Sequence, residues 1–144
     1  MVDVCSRLEE VTEKIWSEPP IRVPARALAI RDRIAADAGV LFMKPALRAT
    51  RLKCPTNFSG RWFPNRNAVG FSLGDDWLFT KGILVHEIGG HWQRWVFGGD
   101  EPGEHDKEFY ALMEIMYPRY GIPLSIALKI EARPPKSWLE RKAW

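Results

Sequence analysis

The chain has only three histidines, His86, His91 and His105, and all three fall within twenty consecutive residues. Two of them flank a glutamate in His86-Glu87-Ile88-Gly89-Gly90-His91, after the apolar approach Gly82-Ile83-Leu84-Val85. Residues 77 to 97 read as one long, mostly buried helix, with Trp77, Leu78, Ile83, Leu84, Val85, Ile88, Trp92, Trp95 and Val96 as its apolar positions and Gly98-Gly99 as its end. Histidines placed for generic reasons have no cause to gather in this way. A catalytic zinc supplies one: it takes three protein ligands and keeps a fourth position open for water. Two ligands from one helix and one from a later element make a preorganised tripod. A metal ion lowers the pKa of its water towards ~7, and a glutamate beside the first ligand can take the proton as water attacks a carbonyl.

The spacing sets a geometric problem. His91 follows His86 at i+5, which on a regular α-helix lies about 140° away, on a different face. Three readings stand: the helix carries a π-bulge that returns i and i+5 to one face, or it ends near Gly90, or His91 is not a ligand. The pair Gly89-Gly90 speaks for distortion, since each glycine costs a helix interior roughly 1 kcal/mol relative to alanine. Glycine suits a backbone that must bulge or approach something closely.

Around this segment the pattern predicts an α+β chain in one domain. Residues 4 to 16 predict an amphipathic helix with Val4, Leu8, Val11 and Ile15 inward, ended by Pro19-Pro20. Residues 25 to 38 predict a second, with Pro24 in its first turn and Gly39 at its end. Residues 46 to 73 are punctuated by Pro55, Asn57, Ser59, Gly60, Pro64 and Asn65, and carry β-forming side chains, so they predict a small, mainly antiparallel sheet whose last strand runs near Ala68 to Leu73. Asp75-Asp76 is placed to cap the long helix. A further helix is expected from about His105 to Tyr117, closed by Pro118 and Gly121, and a short one over 123 to 131. The tail from Pro134 to Trp144 is basic and expected to be ordered only in part.

Charge and cysteine content narrow the class. No apolar run is long enough to span a bilayer. The first residues show no basic n-region and no apolar h-region, which points to a cytoplasmic protein. Cys5 and Cys54 are then expected to be reduced thiols. The net charge is +3, and from Lys44 to Arg66 there are six basic residues and no acidic one. Such a stretch can contact nucleic acid weakly; the plainer reading is a solvated loop and strand surface.

Two resemblances bear on the histidines. His86-Glu87-Ile88-Gly89-Gly90-His91 resembles the HExxxH motif of dipeptidyl peptidase III, a zinc peptidase, which implies that i+5 spacing can bind zinc. Gly103-Glu104-His105-Asp106-Lys107-Glu108-Phe109 resembles the string that carries the third zinc histidine in SprT-like metallopeptidases. Gly60 to Ser72 resembles the β-segment before the active helix of that family. The resemblance spans roughly residues 58 to 120. It implies a zincin-like fold, one Zn2+ per chain held by His86, His91 and His105, Glu87 as general base, and a peptide or protein substrate. In zincins the edge strand of the sheet lies along the cleft and pairs with extended peptide, which here implies Asn67 to Ser72, with Asn67, Val69 and Phe71 as substrate contacts. The chain departs from the SprT-like pattern in its i+5 spacing and in lacking that family's cysteine-rich zinc ribbon. Dipeptidyl peptidase III resembles the zincins whose third ligand is a glutamate, so Glu101, Glu104 and Glu108 compete with His105, Glu108 being the best placed.

Plainer roles stand beside these. Asp106 fits a helix's first turn or the support of a ligand imidazole. Arg94, or one of Tyr110, Tyr117 and Tyr120, can stabilise an oxyanion. Two other functions remain open. One is a non-catalytic zinc-binding domain, marked by a closed fourth coordination position. The other is a nucleic-acid-associated binding module that uses the basic stretch, marked by steep salt dependence.

Overall fold

The computed structural model describes residues 15–19, 21–51, 60–99 and 105–144. Most of the helix expected over 4 to 16 lies outside these residues, as do Cys5 and Cys54. The described chain is mixed α+β, with six α-helices and a three-stranded sheet.

Helix α1, Ala25–Asp37, buries Ala27, Ile30, Ile34 and Ala35. It stops where the backbone turns left-handed at Gly39 (φ 76°), a conformation open to a residue without Cβ. The N–H groups of Gly39 and Val40 then close onto the carbonyls of Ala36 and Ala35 at 2.9 and 3.0 Å.

Strands β1 (Ala46–Thr50), β2 (Gly60–Phe63) and β3 (Ala68–Ser72) form a sheet in the order β1-β3-β2. β2 and β3 are an antiparallel hairpin, whereas β1 and β3 run parallel, so the sheet is mixed and not mainly antiparallel. The expectation that Asn67 to Ser72 forms the edge is also overturned: β3 is the central strand, and among the described residues β2 is an edge. The residue types explain this. Ala68, Val69, Gly70 and Phe71 are all buried, as a strand covered on both faces and paired on both sides requires.

One face of the sheet meets the residues before α1. A Cβ on Gly70 would lie 3.4 Å from Cγ2 of Ile15, and Arg48 donates from Nε to the Ile15 carbonyl at 2.8 Å. The other face meets the long helix. A Cβ on Gly60 would come within 2.5 Å of Cγ2 of Ile83 and 3.4 Å of Cγ of Glu87. β2 is thus pressed against the helical turn that carries His86 and Glu87.

That helix is continuous but changes register. Helix α2, Trp77–Leu84, starts at Asp76, whose side chain accepts the Phe79 N–H at 3.3 Å. Residues Val85–Trp92 are π-helical, and Gln93–Val96 return to α as α3. Of the three ways to accommodate the i+5 spacing, the structure takes the π register. Helix α4, Lys107–Arg119, packs on the π segment, followed by α5, Leu124–Ile130, and α6, Lys136–Leu139.

The tail is built into the core, against the expectation of partial order. Trp138 is buried, and Trp144 stacks on Tyr117 while its Nε1 donates to the Ile122 carbonyl at 2.8 Å. Two of the seven tryptophans in the chain anchor this segment, which outweighs its basic charge.

The two helix glycines differ. A Cβ on Gly90 would lie 2.6 Å from Cε2 of Phe109 and 3.0 Å from Sδ of Met113, whereas on Gly89 the nearest atom is Cγ of Met116 at 3.4 Å. Gly90 is therefore where α4 comes closest. Gly90→Ala is expected to overpack this contact and lower stability by about 1–3 kcal/mol. Gly89→Ala is expected to be neutral or to stabilise by up to about 1 kcal/mol. Urea denaturation of both variants checks the contrast. A second tie joins α1 to the end of α4: Tyr120 donates its hydroxyl proton to Asp37 Oδ2 at 2.8 Å. Tyr120→Phe is expected to cost about 1 kcal/mol in the same measurement.

Candidate metal centre

The π register turns His86, Glu87 and His91 inward, and all three are buried. His105 arrives from the segment before α4. Asp106 caps that helix by accepting the Phe109 N–H at 2.8 Å. The same carboxylate accepts a hydrogen bond from Arg94 Nη2 at 3.2 Å, and Arg94 also donates to the Gly99 carbonyl at 2.9 Å. Arg94, expected as a possible oxyanion stabiliser, instead ties the helix bearing His91 to the segment bearing His105. The cap and Arg94 together hold the Asp106 carboxyl below its ordinary range.

One ligand nitrogen from each of His86, His91 and His105 lies within 4.8 Å of the other two. The Nε2 atoms of His91 and His105 are 3.0 Å apart. Tetrahedral zinc with bonds of ~2.0–2.1 Å places its nitrogen ligands about 3.3 Å from one another, near the His91–His105 separation, so the wider spacing within the set must draw in. The rings rest on one aromatic floor. Phe109, wholly buried, stacks on His105 at 4.4 Å and 7° between planes, on His91 at 4.8 Å, and meets His86 edge-on at 5.2 Å. The close approach at Gly90 is what lets Phe109 occupy this place.

Behind the rings stands Glu131, at the end of α5. Its Oε2 is 2.6 Å from Nδ1 of His86 and also accepts the Tyr117 hydroxyl. Its Oε1 is 3.8 Å from Nδ1 of His105. Burial works against the charged form of His86, but the hydrogen bond and the charges of Glu131 and Glu87 outweigh it and raise its pKa. Burial likewise opposes ionisation of Glu131, and the bonds from His86 and Tyr117 win, so its pKa falls. The Tyr117 phenol is pushed well up by burial and by the Glu131 charge. His105 is lowered to about 4, first by burial and then by the neighbouring His86 and His91. At neutral pH it is a neutral imidazole, the form a metal binds.

The donor set fits a borderline cation such as zinc: three imidazoles, with Nε2 of His86 facing Glu87 Oε1 at 3.7 Å. Glu87 Oε2 is buried without a hydrogen-bond partner, a costly state for a carboxylate oxygen unless a polar group is expected there.

The alternatives for the third ligand fall elsewhere. Glu108 is exposed on α4 and does not converge with the imidazoles, because its place in the first turn points it away from the packed face. Glu101 and Glu104 lie outside the described residues. The proposed substrate contacts are corrected. Val69 and Phe71 have no exposed surface, being on the central strand. Asn67 sits in a left-handed turn (φ 43°) with Nδ2 donating to the carbonyls of Met43 and Lys44, so it shapes the hairpin. Tyr120 is committed to Asp37 and Tyr117 to Glu131.

Glu131, Tyr117 in this role and the Phe109 floor were missed from the sequence. One signal for Glu131 was available: Leu124, Ala127 and Glu131 follow one another at i, i+3 and i+7, so the carboxylate continues the buried stripe of α5.

Compared with known proteins, the chain matches no protein-family model, no curated protein and no solved structure.

Purified without an affinity tag and supplied with zinc, the protein is expected to hold one zinc per chain by mass spectrometry. His86→Ala, His91→Ala and His105→Ala should each lose it, and Glu108→Ala should keep it. Full zinc content in His105→Ala would remove that residue from the site.

Proposed function

We propose that the chain is a zinc-dependent hydrolase that cleaves peptide bonds, with a zincin-like fold. The carrying observation is the convergence of His86, His91 and His105 beside a buried Glu87 whose Oε2 has no partner. The resemblance of the two histidine segments to those of dipeptidyl peptidase III and SprT-like peptidases supports the same reading.

Under this proposal the three imidazoles hold one zinc ion. When bound, zinc supplies Lewis-acid polarisation of a carbonyl oxygen. Glu87 takes the proton from attacking water and delivers it to the leaving nitrogen. Its burial keeps the carboxylate from being spent on bulk solvent. Among the described residues β2 is the strand edge beside this glutamate, and Gly60 leaves no side chain between strand and helix. Extended substrate backbone pairs there by strand addition, in place of the β3 contacts expected earlier.

Glu87→Gln preserves shape and removes the base. It is expected to keep its zinc and lose about 10²–10⁴-fold in turnover of a fluorogenic peptide library. Undiminished hydrolysis by zinc-loaded Glu87→Gln would overturn the assignment of the base. A zinc-loaded wild type that cleaves nothing in the library would favour a non-catalytic zinc domain.

A further inference from the structure

We infer that Glu131 is a positioning residue that orients two of the three metal-binding imidazoles at once, holding Nδ1 of His86 through Oε2 and taking Nδ1–H of His105 onto Oε1. This rests on the reading of the histidines as a zinc site, and it specifies what keeps that site in shape.

The two carboxylate oxygens of Glu131 are used unequally. Oε2 has two partners, His86 Nδ1 at 2.6 Å and the Tyr117 hydroxyl. Oε1 has none, although the Glu131 side chain has no exposed surface. An ionised carboxylate in such a place needs every oxygen satisfied. The nearest donor shown for Oε1 is Nδ1 of His105, at 3.8 Å, beyond hydrogen-bond range, so the two must draw together as the imidazoles close on a metal ion. That nitrogen is free for the purpose, since the Nε2 of the same ring is the atom turned to His91. A neutral imidazole carries one proton and one lone pair. A proton on Nδ1 of both His86 and His105 leaves Nε2 of each as the lone-pair donor. Glu131 thereby sets the tautomer of two ligands, one on the π helix and one before α4, from a third element.

Glu131 is not itself a fourth ligand. The convergent set closes within 4.8 Å on the three histidines alone, and the carboxylate meets His86 and His105 at the Nδ1 atoms, on the far side of each ring from Nε2. Its position also explains the aromatic wall around α5. Trp138 and Trp144 pack against Tyr117 from the tail, at 6.1 Å each, so water does not compete for the carboxylate.

The test uses zinc-loaded, untagged full-length protein labelled with 15N-histidine. With three histidines in the chain the imidazole spectrum is simple to assign. Two slowly exchanging Nδ1–H signals are expected, from His86 and His105. In Glu131→Gln the amide can accept from one ring only. Zinc affinity, measured by competition with a chromophoric chelator, is expected to fall about 10–100-fold, with at least one of the two signals lost. Tyr117→Phe removes the other donor to Oε2 and leaves Glu131 and both rings in place, so both signals should persist. A zinc-loaded wild type that protects only the His86 signal would overturn the inference and leave the zinc site standing; this measurement does not depend on any variant folding. Wild-type affinity in Glu131→Gln would overturn it equally. A wild type that binds no zinc would overturn the metal reading itself, and this inference with it.

Discussion

The site depends on one departure from regular helix, the π register of Val85–Trp92. In an α-helix His86 and His91 would face different sides; with i to i+5 closure they share one. Such a register is rare because it gives up regular packing along the helix. Here the loss is offset from outside. β2 presses on the segment at Gly60, α4 at Gly90, and Phe109 fills the space in front of Gly90 while carrying all three imidazoles on its ring. The π register and the assembly of the site are therefore one event: the packing that covers the π turn is the packing that places the histidines.

The rest of the molecule closes the site from behind. α5 delivers Glu131, α4 delivers Tyr117, and the tail seals both with Trp138 and Trp144. The three histidines come from two stretches of chain, and the carboxylate beside them comes from a third. A carboxylate with no exposed surface beside a buried imidazole is costly unless each is compensated. The bonds among His86, Tyr117 and Glu131 supply that compensation, which is why the pKa of His86 rises and that of Glu131 falls despite burial. His105, whose Nδ1 stands 3.8 Å from Glu131 Oε1, moves the other way, lowered by burial and by the neighbouring His86 and His91.

What was legible in the sequence was local. Helix ends followed from Asp76 and Gly39, whose chemistry acts within a few residues. The histidine cluster was legible because its members are close along the chain, and Gly89-Gly90 carried the mark of a distorted helix. The direction and order of the strands were not legible, since an apolar run looks the same in the centre of a sheet as beside an edge. β3 took the centre because both its faces are covered, which depends on Ile15 and on the long helix. Part of the basic stretch has partners within the fold. Arg48 spends its guanidinium on the carbonyls of Ile15, Trp16 and Glu18, Arg66 stacks over Trp16, and Lys44 pairs with Asp32 at 3.6 Å. Arg48 and Arg66 thus reach the segment before α1, and Lys44 reaches α1 itself.

Glu131 shows where reading by spacing stops. It lies 45 residues from His86 in the chain, and no motif joins the two. A metal site is recognised in sequence by its ligands because helix geometry fixes their spacing. The residues that orient those ligands answer only to three-dimensional proximity, so any element that packs nearby can supply them. In this fold the supplier is a short helix after the site, too short to be stable alone and held by its apolar face against α2 at Gly82, where Ile126 and Ile130 leave no room for a Cβ. Gly82 lies four residues before His86. The contact that seats α5 on the long helix thus also sets the distance between Glu131 and the first histidine, and a glycine with no chemistry of its own becomes part of the geometry of the site.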